Sequence, residues 1–476
     1  MRIMLMWPAS GPEMTILFEE LKKAGHEVLY WVGEKEAAHL APKGAVFHDH
    51  YDAWDAKPAE PFAQEAFPPP SAELIASMHK TESLILTMMN KRYDKAPVDE
   101  RKHTYYTMLG YWDAVLDRLK PDKIVFGLVP HSLYSNILYD LARERGIPTV
   151  CFEDSWVALH LLTYRDFFTG SEELRAALAE QQRGHATLED LHPKTRNYYV
   201  EHARTRPGAS PAYFRDQRLI AEGLGLLRHR ATIALAAMRE GTIFRLAKGY
   251  LARSLRKDLK NEYAELQRNP DLTSSFVYVP LPFQPERTTS PQGGIYHDQI
   301  LMVETLAAAL PKGWRVLVKE HPSQWWLRGK TRYSSARYRG YYERLAGIPN
   351  VDLIPIGTES AQLLQHARTV ATATGTTGWD GILMGTPALV FGYPWYRDCP
   401  GALRVASVED CREALSRVAT GYRVDERDVL AFLKALDEVA LRAHIADPPP
   451  GSPGIAPGEN MRTLAGAVNA FLAERP

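Results

Sequence analysis

The chain has little cysteine. Cys151, Cys399 and Cys411 are the three in 476 residues, far apart and without a CxxC pair. An odd, dispersed set builds no disulfide framework and no structural zinc site, and it fits a reducing compartment. Net charge is lacking too. Lys plus Arg and Asp plus Glu both total 57, so no overall field draws the protein to nucleic acid. No stretch approaches the roughly 18 apolar residues of a membrane span. The opening MRIMLMWPASGPE has one arginine and a short apolar run broken by Pro8, which predicts a first strand rather than a secretory leader. A cytoplasmic protein is expected. Neither GxxxxGK[ST] nor GxGxxG occurs, so nucleotide hydrolysis and dinucleotide redox lack their usual signatures. The chain also has no DxD-type acid pair, which leaves a metal-clamped diphosphate without evident ligands. No metal and no cofactor are expected.

What is present is an alternation of short apolar runs with helical patterns. In the first half, strands are predicted over Ile3 to Trp7, Glu27 to Val32, DKIVFGLV and IPTVCFED. Helices are predicted over Met14 to Ala24, Ala72 to Arg92, Glu100 to Leu119 and Ser132 to Arg145. The second half repeats the pattern through SSFVYVPL, RVLVK, VDLIP, TVATAT and PALVF. Strand–helix–strand succession implies parallel sheets covered by helices. The expected fold is α/β, with two Rossmann-like domains facing a cleft in a glycosyltransferase-B-like arrangement with a helical insertion. The domains expected are 1–168 as an N-terminal Rossmann-like acceptor domain and 169–270 as a helical, basic segment packing on it. A C-terminal Rossmann-like nucleotide-sugar domain follows over 271–455, then a C-terminal helix over 456–476 that crosses back. Arg218 to Lys260 carries ten Lys or Arg against Glu222, Glu240 and Asp258. Such a stretch either docks on anionic lipid or covers a domain with a solvated basic face.

The stretch RVLVKEHPSQWW places chemistry at a strand end. Pro322 cannot donate to a ladder, so the strand should stop by His321. Lys319, Glu320 and His321 then lie at the carboxyl edge, where open α/β sheets bind ligands. Two further loops follow strands and should converge there. PLPFQPERTTSPQGG presents Gln284, Glu286, Arg287, Thr288 and Thr289, and ATATGTTGWDG presents Gly375, Thr376, Thr377 and Gly378. In the latter, free N–H groups at a helix start beside two hydroxyls favour a phosphate; the alternative is a threonine N-cap. Together the loops offer a phosphate cradle, an imidazole, a lysine and a carboxylate, a set suited to sugar transfer from an activated nucleotide.

Gln284-Pro285 and His321-Pro322 resemble the QP and HP motifs of bacterial capsule Kdo transferases, relatives of bacterial sialyltransferases. TGTTGWDGILMGTPALVFGYPWY is similar to the donor-phosphate segment of the same capsule-synthesis family. The resemblance covers about residues 275 to 400. It implies a glycosyltransferase-B fold, a CMP-activated 2-keto sugar acid as donor, and no metal. By position the family's acidic residue falls on Glu286, where those transferases commonly have aspartate. Glu286 and His321 are thus the expected catalytic pair. Gln284, Lys319, Glu320 and Gly375 to Gly378 are the expected donor-binding set.

On the N-terminal side, VPHS and EDSW follow strands. His131, Glu153 and Asp154 are the acceptor candidates, against a Ser132 N-cap and a plain turn. Trp325, Trp326, Trp379 and Trp395 are either sugar platforms or core. The partners expected are a nucleotide-sugar donor, a saccharide or lipid-linked acceptor, and a peripheral contact with the inner membrane, without nucleic acid. Alternatives are a nucleoside-diphosphate or polyol-phosphate donor, or a non-catalytic component of polysaccharide assembly or export.

Overall fold

The computed structural model describes residues 1–204, 231–232, 234–235, 238–239, 241, 243–244, 259–322, 324, 336–446 and 454–474. Most of the basic Arg218 to Lys260 stretch, with Trp325 and Trp326, lies outside the described residues.

Two sheets carry the molecule. The first contains β1 (Arg2–Met6), β2 (Glu27–Gly33), β3 (Val46–Asp49), β4 (Lys123–Phe126), β5 (Thr149–Asp154) and β6 (His160–Tyr164). The second contains β7 (Phe276–Pro280), β8 (Arg315–Lys319), β9 (Val351–Leu353), β10 (Thr369–Thr372), β11 (Ala388–Val390) and β12 (Ala402–Arg404). The two-residue β13 (Leu441–Arg442) rejoins the first sheet, giving the orders β13-β6-β5-β4-β1-β2-β3 and β12-β11-β10-β7-β8-β9. Every pair in the second sheet is parallel. The apolar runs read as strands owe their composition to this topology, since helices cover both faces and leave no polar side. Val316, Leu317 and Val318 are all buried.

Two departures bear on the site. β5 does not stop for a turn at Glu153-Asp154. It runs through Asp154, and β6 returns antiparallel beside it, with Glu153 opposite Leu162. The connection places Trp156, Ala158 and Leu159 at φ 63°, 49° and 63°, left-handed values that usually call for glycine or asparagine. Lacking those residues, the hairpin gave no turn signal. Ser132 does cap the helix Leu133–Glu144, in a capping box with Ser135.

The second departure is where the chain returns. The helix Glu426–Val439 was expected within 271–455, but it packs on the helix Glu172–Arg183 and on β6 of the first sheet. The helix Pro457–Ala473 packs on Met14–Lys23, where Leu464, Val468 and Leu472 share a core with Ile3 and Leu5. Lys123 finishes this helix by donating from Nζ to the carbonyls of Phe471 at 2.7 Å and Glu474 at 2.8 Å. From Glu426 onward the chain serves the first sheet. Its amphipathic stripe of Val429, Phe432, Leu433 and Leu436 finds its apolar partner there.

Asp437 fixes that return. Its carboxylate accepts from His160 Nε2 (2.9 Å), Thr195 Oγ1 (2.6 Å), the His192 N–H (2.8 Å) and Arg442 Nη2 (3.0 Å). Burial pushes its pKa up, but the bonds from His160, Thr195 and His192 win and hold it at about 2. A depressed carboxylate stabilises fully above its ordinary pKa, so this contribution is complete above about pH 4 and lost as pH falls toward 2. Asp437→Ala should lower stability by about 3–5 kcal/mol, the cost of leaving buried partners unpaired. A thermal melt at pH 7 checks this, and the gap between variant and wild type should narrow below pH 4.

Candidate functional site

β7 lies between β10 and β8, so the loops leaving these three strands are neighbours at one carboxyl edge. The joints between them are polar. The central one was not visible in the sequence. Arg337, distant in the chain, forms a fully buried ion pair with Glu320, Nε to Oε2 at 2.7 Å and Nη2 to Oε1 at 3.0 Å. Its remaining donors reach Gln284 Oε1 and, at 2.9 Å, Gln299 Oε1. Tyr342 OH adds a 2.6 Å bond to Glu320. Gln324 completes the joint, accepting from the Gln284 N–H at 3.1 Å and donating to the Gln284 carbonyl at 3.0 Å. The QP and HP loops are thereby tied into one body.

This network changes the reading of three donor-binding candidates. Glu320 points into the core and is consumed by Arg337. Gln284 is buried and donates to the His297 carbonyl at 2.7 Å, so its amide sets the loop's path. Lys319 is also buried and donates to Thr358 O (2.9 Å) and Ser360 Oγ (2.6 Å), with burial lowering its pKa to about 8. Alternation explains the pattern: at the end of a strand covered on both faces, successive side chains still enter helix layers. Glu320 and Lys319 therefore find internal partners.

Glu286 and His321 remain at the edge. Glu286 is exposed, and Thr288 Oγ1 donates to its Oε2 at 2.8 Å. Thr374 Oγ1 donates to the Thr288 carbonyl, joining this loop to the one after β10. His321 is half-buried, its ring tilted against Phe283 at 6.1 Å. Burial, and to a lesser degree Arg337 and Lys319, lower its pKa to about 4 despite Glu320. At neutral pH it is an uncharged imidazole with one N–H to donate.

The helix Thr376–Leu383 begins at the expected place. Its N-cap is Gly375, with no side-chain cap, so neither Thr376 nor Thr377 is the cap. The glycines have packing reasons. A Cβ on Gly378 would collide with the Tyr396 hydroxyl, which donates to the Gly375 carbonyl at 2.6 Å, and one on Gly375 would lie 2.8 Å from Thr372 Oγ1. Thr376 is exposed and Thr377 half-buried. Trp379 and Trp395 are core residues, 4.9 Å apart, with Trp395 stacked on Phe432 of the returning helix. They seat the helix against the first sheet.

On the opposite wall the acceptor candidates separate. Asp154 accepts from the Ile445 and Ala446 N–H groups at 3.2 and 3.3 Å and anchors the returning chain. Glu153 is buried and accepts from Gln292 Nε2 of the second sheet's loop at 2.5 Å. Burial raises its pKa, opposed by Arg287 and the Gln292 bond. It thus holds the two halves together. His131 is different. It is half-buried, its Nδ1 lies 2.9 Å from the Val129 carbonyl, and burial with Lys91 and Arg287 lowers its pKa to about 3. The neutral ring donates from Nδ1, which leaves Nε2 as an acceptor. Lys91, which no sequence signal marked, stands beside it. Among the described residues no group of three or more His, Cys, Asp and Glu could hold a metal ion. None of the described helices is long and apolar enough to cross a membrane.

If Glu320 serves the framework, Glu320→Ala should cost about 3–5 kcal/mol, because it leaves the Arg337 charge buried and unpaired. Glu286→Gln, on an exposed side chain, should change stability by less than about 0.5 kcal/mol. Chemical denaturation of both variants distinguishes framework from surface, and equal effects would contradict the assignment.

Residues 226–418 match the family model described as capsule polysaccharide biosynthesis protein. No curated protein matches the chain. Among solved structures the chain is similar to the beta Kdo 2,7 transferase of Thermosulfurimonas dismutans KpsC, at 11% identity over 75% of this chain and 88% of that one, TM-score 0.34. It is also similar to the beta Kdo 2,4 transferase of that KpsC, at 14% identity over 66% and 87%, TM-score 0.30. A third similarity is to the UDP-GlcNAc 2-epimerase of Methanocaldococcus jannaschii, at 10% identity over 87% and 92%, TM-score 0.24. The resemblance read from the QP, HP and TGTTG motifs is met by the capsule polysaccharide biosynthesis model, over the stretch that contains all three.

Proposed function

We propose that the protein is a glycosyltransferase of surface polysaccharide biosynthesis. Its donor is a CMP-activated 2-keto sugar acid such as Kdo, and its acceptor is a saccharide or a lipid-linked saccharide. One observation carries this reading. The loops after β7, β8 and β10 are bonded into one edge that leaves Glu286, His321 and the uncapped start of Thr376–Leu383 on its rim. The match to the capsule polysaccharide biosynthesis model supports the same class of reaction.

The donor phosphate rests on the N–H groups and hydroxyls at Thr376 and Thr377, where the helix end favours an anion. The bond from the anomeric carbon to the phosphate oxygen breaks, and its electron pair leaves with the phosphate. His321, neutral at working pH, donates its N–H to that oxygen and steadies the developing charge without first needing a proton. Glu286 meets the anomeric carbon, either as nucleophile or as the base that removes the acceptor hydroxyl's proton. His131 Nε2 accepts a hydrogen bond from that hydroxyl. The Arg218 to Lys260 stretch holds the enzyme at the inner membrane, with about 1 kcal/mol of attraction per basic residue near an anionic surface.

Donor hydrolysis and binding across CMP-, UDP- and GDP-sugars test the donor, and a preference for UDP- or GDP-sugars would reassign it. Glu286→Gln and His321→Ala should keep nucleotide binding and lose about 10²–10⁴-fold in transfer. The Thr376→Ala/Thr377→Ala double variant should weaken nucleotide binding by about 1–3 kcal/mol. Near wild-type transfer in either single variant would reduce these loops to scaffolding. Flotation with anionic vesicles should show binding at low salt that is lost at high salt; no binding at low salt would remove the membrane role.

A further inference from the structure

Three lysines are buried among the described residues: Lys91, Lys123 and Lys319. Two have acceptors inside the fold, Lys123 on the carbonyls of Phe471 and Glu474, and Lys319 on Thr358 and Ser360. Lys91 does not. It ends the 3-10 turn Met89–Lys91 and is 5% exposed, yet no hydrogen bond or ion pair engages its ammonium among the described residues. The stem is buried while its Nζ keeps a little contact with solvent, and burial lowers its pKa to about 8. The charges acting on it, Glu286 and Arg287, belong to the loop after β7 on the other half of the molecule.

Arg287 is its counterpart. Its guanidinium likewise has no hydrogen bond or ion pair among the described residues. Its field reaches Lys91 and His131, as well as the buried carboxylates Glu153 and Asp154. Those carboxylates are already engaged, by Gln292 and by the backbone of Ile445 and Ala446. Glu286 is not within ion-pair distance of either cation, and its Oε2 takes the Thr288 hydroxyl. Two cations from opposite halves, neither bonded to a counter-ion, are therefore near enough to act on one another, and the carboxylate assigned to the anomeric carbon acts on Lys91.

We propose that Lys91 and Arg287 form an anion subsite for a carboxylate or phosphate carried by a substrate sugar, held between the two halves next to Glu286. The proposal rests on the reading of this edge as the reaction site, and it adds a charge requirement on the sugar itself. Arg287 grips the anion with its planar fork, and Lys91 supplies a point charge from the far wall. His131 Nε2, an acceptor, is left to a hydroxyl. The anion comes either from the donor, as the carboxylate of a 2-keto sugar acid, or from the acceptor, as a uronate or a phosphate.

The test uses the full chain, with glucuronate, glycerol 3-phosphate and glucose as probes, read by calorimetric titration and ligand-induced Tm shift. Wild type should bind at least one anion tenfold or more tightly than glucose. Lys91→Met and Arg287→Met should each erase that preference, and Lys91→Arg should keep most of it. Glucuronate binding points to a sugar-acid carboxylate, and glycerol 3-phosphate binding to a phosphorylated acceptor. Anions bound no better than glucose, or both Met variants binding like wild type, would overturn the proposal. Should Lys91→Met not fold, Arg287→Met on the half-buried loop decides alone. A parallel CMP titration reports on the nucleotide site, so failure of the donor reading appears there and not in the anion arms.

Discussion

The edge formed by the loops after β7 and β8 depends on the ion pair between Glu320 and Arg337, neither of whose side chains touches water. Burying such a pair is costly, and replacing it with apolar residues often leaves a protein as stable or more so. Its worth here is positional. The loops after β7 and β8 are rich in proline and polar residues and cannot hold themselves in place. Arg337 spends its donors on both, through Glu320 on one side and Gln284 and Gln299 on the other. Both oxygens of Glu320 are bonded, by Arg337, Tyr342 and the His321 N–H, so the network specifies one arrangement. A dipeptide such as QP or HP is thus held in place largely by the residue beside it.

The same network shows where sequence reading stops. Parallel strands were legible because their apolar runs have no polar face. The strand end at His321 was legible because Pro322 forbids a further ladder bond. Convergence of the three loops was legible because each follows a strand of a parallel sheet and so leaves its carboxyl edge. The fate of Lys319 and Glu320 was not legible, because their partners, Ser360 and Arg337, lie 41 and 17 residues away and no local pattern announces them. A charged pair after a strand looks the same whether it faces a ligand or a helix layer. The glycines of TGTTG carried a similar ambiguity. They sit where the sequence predicts a phosphate site, yet a side chain at either would meet Tyr396 or Thr372. Strand β6 escaped notice because its hairpin bends through tryptophan, alanine and leucine.

Electrostatically the two walls are unequal. The second sheet contributes a helix start and a carboxylate. The first contributes an imidazole kept neutral by burial and by neighbouring cations. Both histidines at the edge are neutral at physiological pH, and for the same first cause, loss of water around the ring. They act through directed hydrogen bonds rather than through charge. Positive charge is delegated to side chains that stay protonated when buried, at the expense of solvation.

The return of the chain has a consequence for how such proteins change over time. Because Glu426–Val439 and Pro457–Ala473 complete the first sheet's layers, the second sheet is inserted within the first unit instead of following it. One recombination event between related genes would pair an N-terminal sheet with foreign closing helices, separating Asp437 from His160 and Lys123 from Phe471. Exchanging the second sheet intact takes two crossovers, one before the helix Leu259–Leu266, whose Tyr263 lies in the second sheet's core, and one before Glu426. Chimaeras joined at both places keep each core whole, whereas those joined once do not.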